Sequence, residues 1–506
     1  MHILEVKLKQ HTPLIHFQHE QDGATLRASE VKPKLDRFIL TKLGEGEMDL
    51  VEETDNYKKR IQEIKQQNPE KTNYEIGFLY AKEQKMLIGK GDKPSLNYKM
   101  QIKPNGEIFF LLTNQKIEFT NRHKEKGKRF IEETENGEKI KYLLKERTSD
   151  KKLIHDLKKY PLFFGNIDAD INNSNEYKKL SFTDDPLDLI ITTTNTTIYK
   201  LLIIDGFMCN FFMNHNFGTR QSKGFGSFYI NEKDKLYISP KSEYQFDISI
   251  VGSYYDDDFE VLFSAIELFY STLRAGINLK IGKNTKFYFK SLLFLYCSKV
   301  LNAHWDKRKV KEEFYPDNIT SPKDSLEKQR AIHSGNSMDD PLTIPFDESY
   351  DVRDLLGFST NERWLSYGDS IEKKVAIKDG TRYRYPNPNE SLSIERMRSP
   401  ILFKPVYGKT KDKKDIYTVH ILLQDNVANL NEFKSANKIC FYSKNRFGSK
   451  LFMIDLPSMF STKNYFDYIF DKLKIDITTH VEKKYHLHDY YKILSDIYEQ
   501  LKNKKL

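Results

Sequence analysis

Asn216-Phe-Gly-Thr-Arg-Gln-Ser-Lys-Gly-Phe-Gly-Ser-Phe-Tyr229 sets three glycines, at 218, 224 and 226, around Arg220 and Lys223. Glycine accepts positive φ and lets the backbone come close to a ligand, so peptide N–H groups in such a loop can face phosphate oxygens. Arg220 and Lys223 would add charge-assisted contacts to the same anion. The alternative reading is a glycine-bearing turn with a solvated basic rim. Two nucleotide-binding signatures are excluded by single residues. Phe225 follows Gly224 where a P-loop needs Lys and then Ser or Thr, and Tyr229 stands where a dinucleotide fingerprint needs its third glycine.

Downstream of the loop, Tyr244, Phe246, Ile248 and Ile250 alternate with polar residues and predict a strand. Asp256–Asp258 then lead Phe259, Leu262, Phe263, Ile266, Phe269 and Leu273, an amphipathic helix with acids at its positive end and Gly276 as its stop. At the start of the chain Leu4, Val6 and Leu8 alternate with charges, again a half-buried strand. Val31, Leu35, Phe38 and Ile39 share one helical face, with Ser29 read as N-cap and Pro33 near the helix start. Residues 44–159 are rich in Lys, Glu, Asn and Gln and read as a largely solvated insertion with one strand at Glu107–Leu112. Asp317–Tyr350 is a second polar stretch, read as loop. The second half predicts strands at Ile401–Tyr407 and Tyr417–Leu423 and a final helix carrying Leu487, Tyr491, Leu494, Ile497 and Tyr498. Interspersed strands and helices without a short repeat indicate an α+β chain of two sheet-and-helix domains.

The whole chain carries 81 basic and 72 acidic side chains, a net +9, which permits a polyanionic partner without requiring one. The charge is uneven: Thr120–Tyr160 holds 13 Lys/Arg against 8 Asp/Glu. Hydrophobic content of 39%, with 34 Phe and 30 Tyr, suffices for real cores and argues against disorder. Cys209, Cys297 and Cys440 are too far apart for a zinc site or a disulfide framework. The opening MHILEVKLKQHTPL lacks the apolar core of a signal peptide, and no run approaches the roughly 20 apolar residues that span a bilayer. The expectation is a soluble cytoplasmic protein without membrane association or cofactor.

The glycine loop closely resembles that of the RAMP superfamily, the ferredoxin-like RNA-binding proteins of CRISPR systems, through Gly218, Arg220, Gly224, Phe225, Gly226 and Ser227. Thr12-Pro13-Leu14 followed by Leu26-Arg27-Ala28-Ser29-Glu30-Val31-Lys32 is similar to the family's opening, and Tyr160–Gly165 followed by Leu180-Ser-Phe182 to the element after it. Within the superfamily, Leu355–Phe358, Trp364–Tyr367 and Arg396–Pro405 resemble the first-numbered subunit of the Cmr (type III-B) complex. There are departures: Ile15–His19 replaces the usual glycines after Thr-Pro-Leu, and Arg37-Phe38-Ile39 stands where many relatives have Arg-Trp-Trp.

The resemblance implies two ferredoxin-like (RRM-like) domains, at 1–255 and 256–506, with the insertion in the first. It further implies contact with guide RNA or target RNA near the 3-prime part of the guide, and assembly with other RAMP subunits in antiviral defence. Leu4–Leu8, the 216–229 loop and Tyr244–Ile250 would then share one domain. The RNA-contacting residues it points to are Arg27, Lys32, Lys34, Arg37, Gly218, Arg220, Lys223, Gly224, Phe225, Gly226, Arg396 and Arg398.

Catalysis is not expected, although an endoribonuclease of the same superfamily is the alternative class. His11, His16 and His19 cluster, but a general base needs a partner and a positioned 2-prime hydroxyl, and neither is legible. No second ligand group at fitting spacing supports a metal. Asp22 before Gly23 is an ordinary turn residue, although backbone subunits of related complexes cut RNA with a loop aspartate. Asp36 falls inside the predicted helix and is read as surface. The basic run at Arg122–Arg129, with Phe130 as its one aromatic, reads as solvated.

Overall fold

A computed structural model describes residues 1–15, 25–48, 54–89, 95–106, 108–113, 116–118, 123–125, 128–135, 138–143, 154–156, 178–250, 255–280, 286–315, 348–364, 369–386, 394–424, 433, 437–445, 448–481 and 483–503. His16, His19, Asp22, Arg122, Tyr160–Gly165, Leu365–Tyr367 and most of the Asp317–Tyr350 stretch lie outside these residues. The chain falls into two compact units. The first comprises Met1–Lys241, Ile248–Phe263 and Lys404–His420, the second Ser242–Asp247, Ser264–Phe403 and Ile421–Leu506. Each unit therefore gathers separate stretches of chain, where the expected domains divide once, at residue 255.

In the first unit β1 (His2–Gln10) buries Leu4, Val6 and Leu8 and turns Glu5 and Lys7 outward, as the alternation predicts. It is followed by α1 (Ala28–Glu45), α2 (Thr54–Gln67), α3 (Asn73–Glu83) and β2 (Lys99–Pro104). Then come β3 (Leu187–Thr193), α4 (Thr196–Leu202), α5 (Phe207–Met213) and β4 (Phe228–Ile230). The four strands form one sheet in the order β4-β1-β3-β2, antiparallel at every pairing. Leu8 faces Leu187 on one side and Ile230 on the other, which keeps the buried face continuous. Tyr244–Ser249 does not join this sheet. It is ordered with Asp415–Leu423 and Ile401–Lys409 in a separate three-stranded sheet. Its residues divide between the units: Tyr244–Asp247 belong to the second, and Ile248–Ile250 to the first with Leu4–Leu8.

Helix α1 buries Val31, Leu35 and Ile39, but its N-cap is Arg27 in extended conformation, and Ser29 lies within the first turn. The 44–159 stretch is far more structured than its composition suggests. It supplies α2, α3 and β2, and its further strands include Phe109–Thr113, Lys128–Glu135 and Glu138–Leu143 of a five-stranded sheet. In α2 Tyr57, Ile61 and Ile64 recur at helical spacing among Lys, Arg, Glu and Gln, and all three are buried. Helices α1 and α3 cross closely: a Cβ added at Gly77 would lie 1.8 Å from the Leu40 carbonyl oxygen.

The second unit carries a six-stranded sheet in the order His304–Trp305, Ser349–Tyr350, Gly448–Asp455, Lys438–Asn445, Asp369–Val375, Asn361–Trp364. Its last helix, Asp489–Asn503, buries Tyr491, Leu494, Ile497 and Tyr498 as expected. Leu487 precedes that helix and is 87% exposed, so it is not part of the apolar face. The mixed content makes the protein α+β. Among the described residues no single helix is long and apolar enough to cross a membrane.

Candidate nucleic-acid interface

The glycine loop is a closed hairpin-like excursion between α5 and β4. Asn216 and Ser227 bridge its neck in antiparallel fashion, and the Phe217 N–H donates to the Gly226 carbonyl at 2.9 Å. The segment following β1 runs along the loop and is bonded to it residue by residue. His11 N–H donates to Ser227 O (2.8 Å), Gly226 N–H to Pro13 O (2.8 Å) and Thr219 N–H to Ile15 O (2.8 Å). The Thr12 hydroxyl donates to Gly224 O at 2.7 Å and accepts from Ser227 N–H at 2.9 Å. Thr12-Pro13-Leu14 and the glycine loop, two separate motifs in the sequence, are one structural piece.

In this geometry the glycines serve the packing of the loop itself. Gly218, Gly224 and Gly226 all have positive φ. A Cβ at Gly226 would meet Phe217 O at 2.1 Å, and one at Gly218 would meet Ile15 O at 2.3 Å. Their bare backbones are needed by the protein's own chain. Phe225 is fully buried and stacks on Phe263 at 3.9 Å, so its ring is not available to a base.

The groups left at the outer end of the loop are cationic. Arg220 sits in left-handed conformation at φ 57°, heading the short 3-10 turn Gln221–Lys223. Burial lowers the Arg220 guanidinium to about 10, so it stays cationic at neutral pH while being partly desolvated. Lys34 reaches across from α1, donating to Asn216 O at 2.7 Å and to Gln221 Oε1 at 2.6 Å, with its ammonium over the Phe217 ring. That link ties α1 to the neck of the loop and to its Gln221–Lys223 turn.

The remaining expected contact residues are dispersed. Arg37 is exposed, its guanidinium 5.4 Å from the Tyr74 ring centroid, and Arg27 is half-buried at the helix start. Lys32 bonds Asp36 at 3.0 Å and Leu96 O at 3.2 Å and lies over Tyr98, so both it and Asp36 are engaged within the fold. Arg396 and Arg398 are exposed in the second unit, where Arg398 donates to Gln424 Oε1 at 3.0 Å.

His11 is buried within the first unit. Its Nδ1 accepts from the Tyr407 N–H at 3.0 Å and its carbonyl accepts from the Tyr417 hydroxyl at 3.1 Å. Burial, followed by the charges of Lys9 and Lys404, holds it well below the usual histidine range, so it is neutral and serves as a brace. Among the described residues no group of three or more His, Cys, Asp or Glu is placed to hold a metal ion. The residue that sequence reasoning missed is Lys404, wholly buried, which donates to His215 O at 2.9 Å and Phe228 O at 2.7 Å. Its signal was present: one lysine inside the apolar strand run Ile401-Leu-Phe-Lys-Pro-Val406.

A loop clasped by the segment after the first strand, with cations held at its outer end, is the feature by which the sequence resembles CRISPR-associated RNA-binding proteins, and comparison with protein families agrees. Residues 1–277 match the Cmr1 N-terminal domain and residues 288–503 the Cmr1 C-terminal domain. The chain belongs to the Cmr1 family and is thereby a subunit of the type III-B Cmr complex. No curated protein matches it.

Proposed function

We propose that this chain is a non-catalytic, RNA-binding subunit of a CRISPR ribonucleoprotein, holding guide or target RNA near the 3-prime end of the guide beside other RAMP subunits in the cytoplasm. The observation that carries this reading is a locked loop that carries Arg220 and Lys223 on its short Gln221–Lys223 turn, with Lys34 bonded to that turn through Gln221 Oε1. The β-α-β-β-α-β succession of the first unit, with its last strand beside its first, supports a ferredoxin-like assignment for that unit. A guide changes sequence while the protein does not, so the contacts go to phosphates and sugars.

Fluorescence anisotropy with a labelled single-stranded RNA tests this. Affinity should fall steeply with salt and depend little on sequence. The Arg220→Ala, Lys223→Ala double variant should lower the log–log salt slope by up to about two units, one for each phosphate contact removed. Unchanged affinity and slope in the double variant, with the fold intact, would refute the assignment of this loop. RNA incubated with the protein and Mg²⁺ should remain uncut on a denaturing gel.

A further inference from the structure

The Ile401–Lys409 strand contributes Lys404–Lys409 to the first unit, and three of its residues act on the glycine loop or on the segment that clasps it. Lys404 bonds His215 O and Phe228 O, the carbonyls flanking the Asn216–Ser227 neck on either side. Pro405 O accepts from the Ser227 hydroxyl at 2.7 Å. Tyr407 N–H donates to His11, whose own N–H holds Ser227 O. We propose that Lys404 is a positioning residue, a buried ammonium staple across the neck of the loop that fixes the stance of Arg220 and Lys223 without touching RNA itself. The proposal rests on the RNA-binding reading of the loop.

The chemistry favours a staple over an accidental burial. An ammonium has three donors and no acceptor, so it can satisfy carbonyls from two chain segments at once, which no apolar residue of similar length can do. His215 O and Phe228 O are both main-chain oxygens, so these contacts restrain backbone, not side chains. Desolvation, then the charge of Lys34, pushes the Lys404 ammonium well below the ordinary lysine range. The hydrogen bonds to these two carbonyls offset part of the cost of burying the ammonium. Its complete burial separates it from Arg220 and Lys223, which are only half-buried.

The test uses the full chain, the same labelled RNA, and three measurements: melting, affinity and salt slope. Lys404→Met should leave a folded protein whose RNA affinity is about tenfold weaker, with the salt slope unchanged because no phosphate contact is lost. Thr12→Val, which cuts the ties to Gly224 and Ser227 at nearly constant volume, should weaken affinity in the same way. It decides the matter should Lys404→Met fail to fold. A slope lowered by about one unit in Lys404→Met would show direct phosphate contact and overturn the positioning role. Affinity unchanged in the folded variants, while Arg220→Ala still weakens binding, would equally overturn it. If Arg220→Ala is silent too, the RNA-binding reading of the loop is what has failed.

Discussion

Lys373 and Lys404 are both lysines on strands, 2% and 0% exposed, one in each unit, and they are accommodated by opposite means. Lys373 is surrounded by acids: it bonds Asp354 at 2.7 Å and Glu362 at 3.1 Å, and Arg353, paired with Asp306 and Glu362, completes the network. Although burial alone would lower it, those carboxylates raise Lys373 above its ordinary value. Lys404 donates to main-chain carbonyls, and its pKa is lowered. A charge compensated by charge builds an internal brace. A charge compensated by peptide dipoles leaves local positive potential, which suits a region that meets a polyanion.

The largest effect expected is from Lys373→Met. Removing one partner leaves Asp354 and Glu362 buried with less than their compensating charge, and breaking such a network costs about 3–5 kcal/mol. Lys404→Met removes a donor from two carbonyls but leaves no unpaired charge, so its cost should be smaller, about 1–3 kcal/mol. Urea unfolding of both variants measures the difference. A costlier Lys404→Met would mean that carbonyl satisfaction outweighs charge pairing here and would break the contrast.

Gly226 and Gly380 sharpen it further. Both have positive φ, at 64° and 60°, but an added Cβ meets Phe217 O at 2.1 Å at the first and nothing within 4 Å at the second. Gly380→Ala should cost about 1–2 kcal/mol, the penalty for a Cβ in left-handed backbone. Gly226→Ala should exceed it, and the excess measures how tightly the loop is pressed on its own neck. Equal losses of melting stability would show that the neck yields, and the locked-loop description would fall.

How much of this was legible in sequence follows from where each signal lives. β1 and the face of α1 were readable because apolar spacing is local, as with Leu4, Val6 and Leu8. The Tyr57, Ile61, Ile64 stripe of α2 is equally periodic, but the surrounding Lys, Glu and Gln swamp it in any compositional view. The glycine loop was found from its residues, but the chain segments it packs against were not. Positive φ is visible in a glycine pattern, whereas the oxygen that the bare Cα faces, Phe217 O or Ile15 O, depends on tertiary closure. Lys404 and Lys373 look alike in sequence, each a lysine in a strand. Only the residues brought in from elsewhere, Asp354 and Glu362 in one case and His215 and Phe228 in the other, tell them apart.

The smallest effect, and the one that reads both units in a single sample, is pH dependence. His11 is held well below 6.5 in the folded protein, so below 6.5 the unfolded chain binds the proton that the folded one refuses. Stability of the first unit therefore falls as pH drops below the ordinary histidine value, and is regained on raising it. Lys404 has the same sign higher up: with its folded pKa below 10.5, stability rises with pH through the window up to 10.5. Lys373 has the opposite sign. Its folded pKa lies above 10.5, so its contribution is complete below 10.5 and is lost only as pH climbs through the raised value. Hydrogen exchange, corrected for intrinsic rates, should show β1 amides losing protection on acidification. His11→Asn should flatten that acid response, since asparagine can keep an acceptor for the Tyr407 N–H but does not titrate. In alkaline solution, amides of the Asp369–Val375 strand should weaken while those of β1 hold or strengthen. Parallel loss in both strands would mean that the two buried lysines titrate alike, and that their different partners do not matter.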